Sequence, residues 1–167
     1  MRGYQVYLPD FPLYEAKPGG FFDVRDFIRP QDVSGISSSL WREAGGDEGR
    51  FVELATSWVH NSIHYKSERD EFWKTPSQTV SEGAGDCEDF AILLQSLVEP
   101  YVPDFKVALG EYDGVPHAFN LWDDHLVDAV AGEILPLNAE GYDISYWFTS
   151  EEYGRFYQRK RLLYTLG

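Results

Sequence analysis

A chain of 167 residues that is 43% hydrophobic can enclose one core, and its length fits a single ordinary domain. Its 28 acidic side chains against 14 basic ones leave a formal net charge of −14, a balance that repels phosphate backbones and anionic lipid. One cysteine excludes an internal disulfide and a Cys-rich zinc or iron–sulfur site, and no run reaches the ~20 apolar residues of a membrane span.

Residues 1–46 are punctuated by Pro9, Pro12, Pro18 and Pro30 and by repeated glycines, which predicts short extended pieces and turns. Tyr4, Tyr7, Phe11, Tyr14, Phe21, Phe22 and Phe27 make this an arm packed on a core rather than a disordered tail. From Asp47 to Tyr65, the residues Phe51, Leu54, Ala55, Trp58, Val59 and Ile63 recur at helical spacing and predict a helix. A polar and aromatic connection follows, broken by Pro76, Gly83 and Gly85. A second helix is expected from Cys87, with Phe90, Ala91, Leu94, Leu97 and Val98 buried and Pro100 ending it. Asp86 fits its N-cap, and Glu88 and Asp89 fall in the first turn, where negative charge is favoured. Beyond Pro103 the period changes to two. Phe105, Val107 and Leu109 alternate, as do HAFNLW and HLVDAV, which flank a two-residue turn at Asp123 and Asp124. The expected fold class is therefore α+β, with the helix bearing the cysteine packed on an antiparallel sheet. Residues 1–46 form the arm and residues 47–167 the domain that carries the chemistry.

The stretch GAGDCEDFA places the single thiol at a helix start. That position favours the thiolate through the helix dipole and free amides, while the neighbouring carboxylates oppose it. A cationic partner would resolve the conflict, and histidine is the usual one. Around the Asp123–Asp124 turn, Trp122 opposes His125, Phe119 opposes Asp128 and His117 opposes Val130. His117 and Asp128 then share one face as diagonal neighbours, within side-chain reach. Asp128 among Leu126 and Val130 needs a partner, and His117 offers one. Cys87, His117 and Asp128 together form a nucleophile, a base and an orienting carboxylate. The amide of Cys87 is an oxyanion donor in the same scheme. The plainer readings are a small buried hydrophobe for Cys87, a half-buried strand residue for His117 and an edge or turn residue for Asp128.

Two rival readings compete. His60 and His64 lie i, i+4 in HNSIH, and Cys87 or His117 could complete a zinc set with them, although the glutamate of HExxH hydrolases is missing. Alternatively, the acidic surface and aromatic arm suit a non-catalytic binding or assembly module. The run Arg159, Lys160, Arg161 reads as a solvated end rather than a nucleic-acid patch.

The stretch FWKTPSQTVSEGAGDCEDFAILLQSL, followed by HAFN and LVDAV, resembles the transglutaminase-like cysteine hydrolase superfamily. Its nearest likeness is to the bacterial transglutaminase-like cysteine proteinase branch, the adhesin-cleaving periplasmic proteases. The residues that carry the resemblance are Trp73, Pro76, Gly85, Asp86, Cys87, Glu88 and Asp89, over about 60 residues from Trp73 to Asp128. The resemblance implies a papain/transglutaminase-like core and a catalytic trio at Cys87, His117 and Asp128. It implies thiol-dependent hydrolysis of a peptide or amide bond through a thioester. The alternative is acyl transfer from protein glutamine to an amine. The implied partner is a protein or peptide substrate, with no nucleic acid and no membrane span. No cofactor is required for the chemistry, but the resemblance implies a calcium ion at Asp86 and Glu88. It also allows Trp73 a place at the cleft or oxyanion, against a simple packing role. The first residues, MRGYQVYLPDFPLYEA, hold no signal-peptide run. The expectation is a cytoplasmic protein as the sequence stands, or a periplasmic or extracellular one if a signal was removed.

Overall fold

The two helices and the hairpin expected around Cys87 meet as a helical layer laid on one face of a sheet. The computed structural model describes residues 11–17, 20–67 and 73–156; the basic run at 159–161 lies outside them. A hairpin of β1 (Leu13–Lys17) and β2 (Gly20–Asp23) comes first, followed by two 3-10 turns, Val24–Phe27 and Pro30–Val33. The sequence predicted only extended pieces and turns here, yet a ten-residue helix follows, α1 (Ser34–Glu43). Its serines weaken the helical signal, but Leu40, and Ala44 just beyond it, reach the core and fix it by packing.

Next comes α2 (Glu48–Ser62), capped by the side chain of Asp47, which accepts from the Arg50 amide. The short strand β3 (His64–Tyr65) pairs in parallel with β4 (Ala84–Gly85). Between them lies α3 (Pro76–Glu82), a helix that the sequence reading missed. Its signal was present: Thr75 and Gln78 form a reciprocal capping box, with Pro76 at the first helical position. Then α4 (Cys87–Val98) runs through the centre. It was expected to bury one face, but all twelve residues are buried. The sheet covers one side, and α1, α2 and α3 cover the others. At about 1.5–3 kcal/mol for each large apolar side chain removed from water, α4 makes a substantial contribution to two of the three apolar clusters.

The remaining strands are β5 (Lys106–Tyr112), β6 (Val115–Trp122), β7 (His125–Asp128), β8 (Glu133–Pro136), β9 (Tyr142–Phe148) and β10 (Tyr153–Arg155). They form a six-stranded antiparallel sheet in the order β10-β9-β5-β6-β7-β8. The class is thus α+β, with helices packed on an antiparallel sheet. Val107, Leu109, Ala118, Tyr146 and Phe148 lie in the cluster that holds Cys87, Ala91 and Ile92 of α4. Ala108, Phe119, Leu121, Leu126 and Ile144 form the opposite face. Among the described residues, no helix is long and apolar enough to cross a membrane.

Candidate active site

The glycines ahead of Cys87 have separate tasks. Gly83 ends α3 in the left-handed conformation, at φ 68°. Gly85 makes room: a Cβ there would lie 2.7 Å from Cβ of Asp89 and 2.8 Å from its Oδ2. The space is used, because the Asp89 carboxylate folds back over the helix start. Its Oδ2 accepts from the Asp86 amide at 3.2 Å, and its Oδ1 accepts from the Lys74 amide at 3.1 Å. Asp89 therefore ties the Trp73–Lys74 segment to the cysteine loop, a role beyond the favourable helix-dipole position expected for it.

Cys87 opens α4 and is 8% exposed. Its thiol donates to Glu88 Oε1 at 3.5 Å. Burial, then the charge of Glu88, pushes the Asp86 carboxyl up to about 8. Burial, then the charge of Asp86, does the same for Asp89. Tyr65 is pushed up to about 12 by burial and by the charges of Cys87, Asp86 and Glu88. The acids around the thiol thus resist ionising together, and this weakens the opposition to a thiolate that the sequence raised.

The hairpin register is the one read from the two-residue turn, from Trp122↔His125 through Leu121↔Leu126 to Asn120↔Val127. Asp123 takes the positive φ of 54° that such a turn requires. The alternation carries His117 onto the outer face with Phe119, whose ring it stacks against at 5.8 Å. His117 Nε2 lies 2.9 Å from Asp128 Oδ2. Asp128 is ionised and can only accept, so Nε2 bears the proton and Nδ1 is the nitrogen left for another partner. Asp128 is 4% exposed, and its Oδ1 accepts from the amides of Val130 and Ala131. Burial would raise this carboxyl. The hydrogen bond and charge of His117, then the Tyr142 hydroxyl, outweigh burial and hold it below the usual carboxylate range.

Cys87 packs toward the inner face, in the buried cluster that includes Ala118, the residue after His117. Asn120 links the two elements: its Nδ2 donates to Ala91 O at 3.1 Å, one turn along α4 from Cys87. His117 and Asp128 are thus brought together on the outer face, whereas Cys87 packs in the inner-face cluster. The helix carrying Cys87 is pinned to their strand, but the thiol and the His117–Asp128 pair stand on opposite faces of the sheet.

Other candidates land elsewhere. His60 and His64 do not share a helix face, because α2 ends at Ser62. His60 Nδ1 instead meets the carbonyls of Ala129 and Val130 at 3.2 and 3.1 Å, and so clamps the turn after Asp128. Among the described residues, no group of three or more His, Cys, Asp or Glu could hold a metal ion, which removes the zinc reading there. Trp73 is 6% exposed and packs against Tyr14, Phe22, Phe27 and Phe148. Its position is that of a packing residue, and its indole Nε1 has no hydrogen-bond partner among the described residues. For calcium, Asp86 and Glu88 fit in kind. Both are buried and offer oxygens, and Asp86 Oδ1 has no hydrogen-bond partner among the described residues. Two carboxylates fall short of the six to eight oxygens that calcium takes.

No family model matches the chain. It is 31% identical over 100 residues to a UPF0252 protein of Methanocaldococcus jannaschii, a match that takes in 48% of this chain and 28% of that protein. The chain thus spans little more than a quarter of the length of this curated relative. Among solved structures it is similar to Legionella pneumophila LapG, with a TM-score of 0.60 at 17% identity over 91% of this chain and 93% of that one. Calcium-bound LapG from the same organism superposes with a TM-score of 0.54 at 16% identity, over 84% of this chain and all of that one. At such identities the likeness is one of architecture, and the chain has the α+β, papain- and transglutaminase-like fold of LapG.

Proposed function

We propose that this chain is a cysteine hydrolase acting on a peptide or amide bond, with residues 47–167 as its catalytic region. The observation that carries the reading is the 2.9 Å contact between His117 Nε2 and Asp128 Oδ2, on the strand hairpin against which the Cys87 helix is pinned. The reading requires the His117 ring, held by Asp128 on the outer face, to turn Nδ1 toward the helix start, where it takes the thiol proton of Cys87. The thiolate attacks the substrate carbonyl carbon and forms a carbon–sulfur bond. The amide of Cys87 lies in the first turn of α4, where backbone donors lack intrahelical acceptors, and it stabilises the oxygen that becomes negative. The imidazolium of His117 returns its proton to the departing amine, leaving a thioester. Water, deprotonated by His117, cleaves the thioester and restores the thiol. An amine in place of water would give acyl transfer. The substrate is a protein or peptide.

Calcium belongs to the same reading only in part. Asp86 and Glu88 would supply two of the six to eight oxygens it takes, the rest coming from backbone or water, and a bound ion would neutralise carboxylate charge beside the thiol. LapG has been solved calcium-bound, and the buried Asp86 Oδ1 is an oxygen suited to such an ion.

The test is the alkylation rate of Cys87, followed by intact mass across pH, in wild type and His117→Ala, with calcium or with chelator. Fast labelling well below the ordinary thiol pKa of about 8.5, lost in the variant, supports the hydrolase. Slow labelling unchanged by the variant and by calcium would sink it in favour of a binding module.

A further inference from the structure

The His117–Asp128 pair has a third member that the sequence pattern did not suggest. Tyr142 lies at the start of β9, 14 residues beyond Asp128. Its hydroxyl donates to Asp128 Oδ2 at 2.7 Å, so one carboxylate oxygen takes both the tyrosine proton and the proton of His117 Nε2. With Oδ1 accepting from Val130 and Ala131, the carboxylate is held from both ends.

A backbone irregularity puts Tyr142 there. Strand β9 pairs with β5 as Leu109↔Tyr146 and then Gly110↔Ile144, so Ser145 is an inserted residue. Tyr146 and Phe148 pack on the inner face with Cys87, whereas Tyr142 and Ile144 fall on the outer one. Without the bulge, the alternation would send Tyr142 to the face opposite Asp128. Bulges recur beside functional sites because they re-aim a side chain in this way. Gly110 accommodates the bulge, since a Cβ there would lie 1.8 Å from the Asp143 carbonyl oxygen. The Tyr142 ring is located by Tyr112 at 4.6 Å and Phe119 at 5.1 Å, and His117 lies 6.3 Å away. The charged or titratable groups around it include Asp128, Tyr112, Glu133 and His117.

We propose that Tyr142 is a positioning residue for the candidate site: its hydroxyl sets the plane of the Asp128 carboxylate so that Oδ2 meets His117 Nε2. The inference rests on the cysteine hydrolase reading and names a residue that touches neither the thiol nor the scissile bond.

Tyr142→Phe removes only the hydroxyl and keeps the ring packing. Two quantities decide the matter, both measured at pH 7 with calcium and again with chelator: the alkylation rate of Cys87, and the nitrogen-15 signals and proton exchange of the His117 ring. Loss of one hydrogen bond to a charged acceptor is expected to slow alkylation about tenfold and to speed exchange of the Nε2 proton by a similar factor. A merely structural hydroxyl would lower the melting temperature and leave the His117 signals and the alkylation rate as they are; that result overturns the inference alone. A wild type that alkylates no faster than an ordinary thiol overturns the hydrolase reading and this inference with it. The unmodified protein supplies an independent check. A protected, downfield Tyr142 hydroxyl proton close to the His117 Nε2 proton supports the inference, and its absence overturns it even if the variant does not fold.

Discussion

Asp128 illustrates how a buried charge is kept. Four donors reach its two oxygens: His117 and Tyr142 on one, Val130 and Ala131 on the other. Its folded pKa is lowered, so its contribution is complete above the ordinary carboxylate pKa and is lost as pH falls through the folded value. Asp128→Asn should therefore lose stability at about pH 6, and the gap to the wild type should narrow only as the pH falls below the ordinary carboxylate range, as read from urea midpoints. Gly85 gives a second prediction at this scale. An alanine there meets Asp89 at 2.7 Å, and overpacking of this kind costs about 1–3 kcal/mol. Gly85→Ala should lower the urea midpoint and disturb the loop that presents Cys87. The His117–Asp128 pairing was legible because a two-residue turn fixes hairpin register and a lone carboxylate on an apolar face demands a partner. Tyr142 was not legible, because strict alternation assigns it to the other face and nothing local announces the extra residue at Ser145. The Asp89 bracket was hidden for a related reason: its acceptors bind backbone amides that the fold brings close, not side chains with a recognisable spacing.

Elements were legible where a period ran long. The α2 stripe and the alternation of β5 to β7 gave their types directly. The α1 and α3 helices were missed because seven to ten residues rich in Ser and Thr carry little periodic signal, although the Thr75–Gln78 box was there to be read. Replacing Thr75 with Ala should cost about 1 kcal/mol by loss of that cap, measured by chemical denaturation. The contact between α4 and β6 is more consequential. Asn120 is fully buried and binds both Ala91 O at 3.1 Å and Gln95 Oε1 at 3.4 Å. Asn120→Ala leaves those acceptors without a donor, at about 1–3 kcal/mol. If the helix is held to the strand by this bond, the variant should also slow Cys87 alkylation at temperatures well below its melting point. A loss of stability with unchanged alkylation would mean that the bond serves folding alone.

At the scale of the whole molecule, the described part of the N-terminal segment, from Phe11 on, joins the core that surrounds the thiol, while Tyr4 and Tyr7 lie outside the described residues. Tyr14, Val24 and Ile28 share a buried cluster with Trp73, Cys87 and Phe148, and Phe11 stacks on Tyr146 at 4.5 Å. Its aromatic content points to packing, but the place where it packs depends on side chains as distant in sequence as Tyr146 and Phe148, which no local pattern encodes. Truncating Trp73 to Ala removes an aromatic hub touched by Tyr14, Phe22, Phe27 and Phe148. The expected cost is about 3–5 kcal/mol, and the alkylation rate of Cys87 should rise as the covering loosens. A destabilised variant with unchanged thiol accessibility would show that the arm braces the fold without shielding the site.

The wholly buried α4 has a consequence for when the protein can act during its own making. A helix with no solvent-facing side has nothing to stand on until its neighbours exist, and its sheet is built from strands that come later in the chain. On the ribosome, Cys87 emerges before residue 106, so the thiol is synthesised well ahead of the sheet on which its helix packs. The nascent polypeptide should remain inert toward alkylating probes that report an activated thiol until the last central strand, β9, has cleared the exit tunnel. Reactivity would then switch on in one step, as a clock of completed folding.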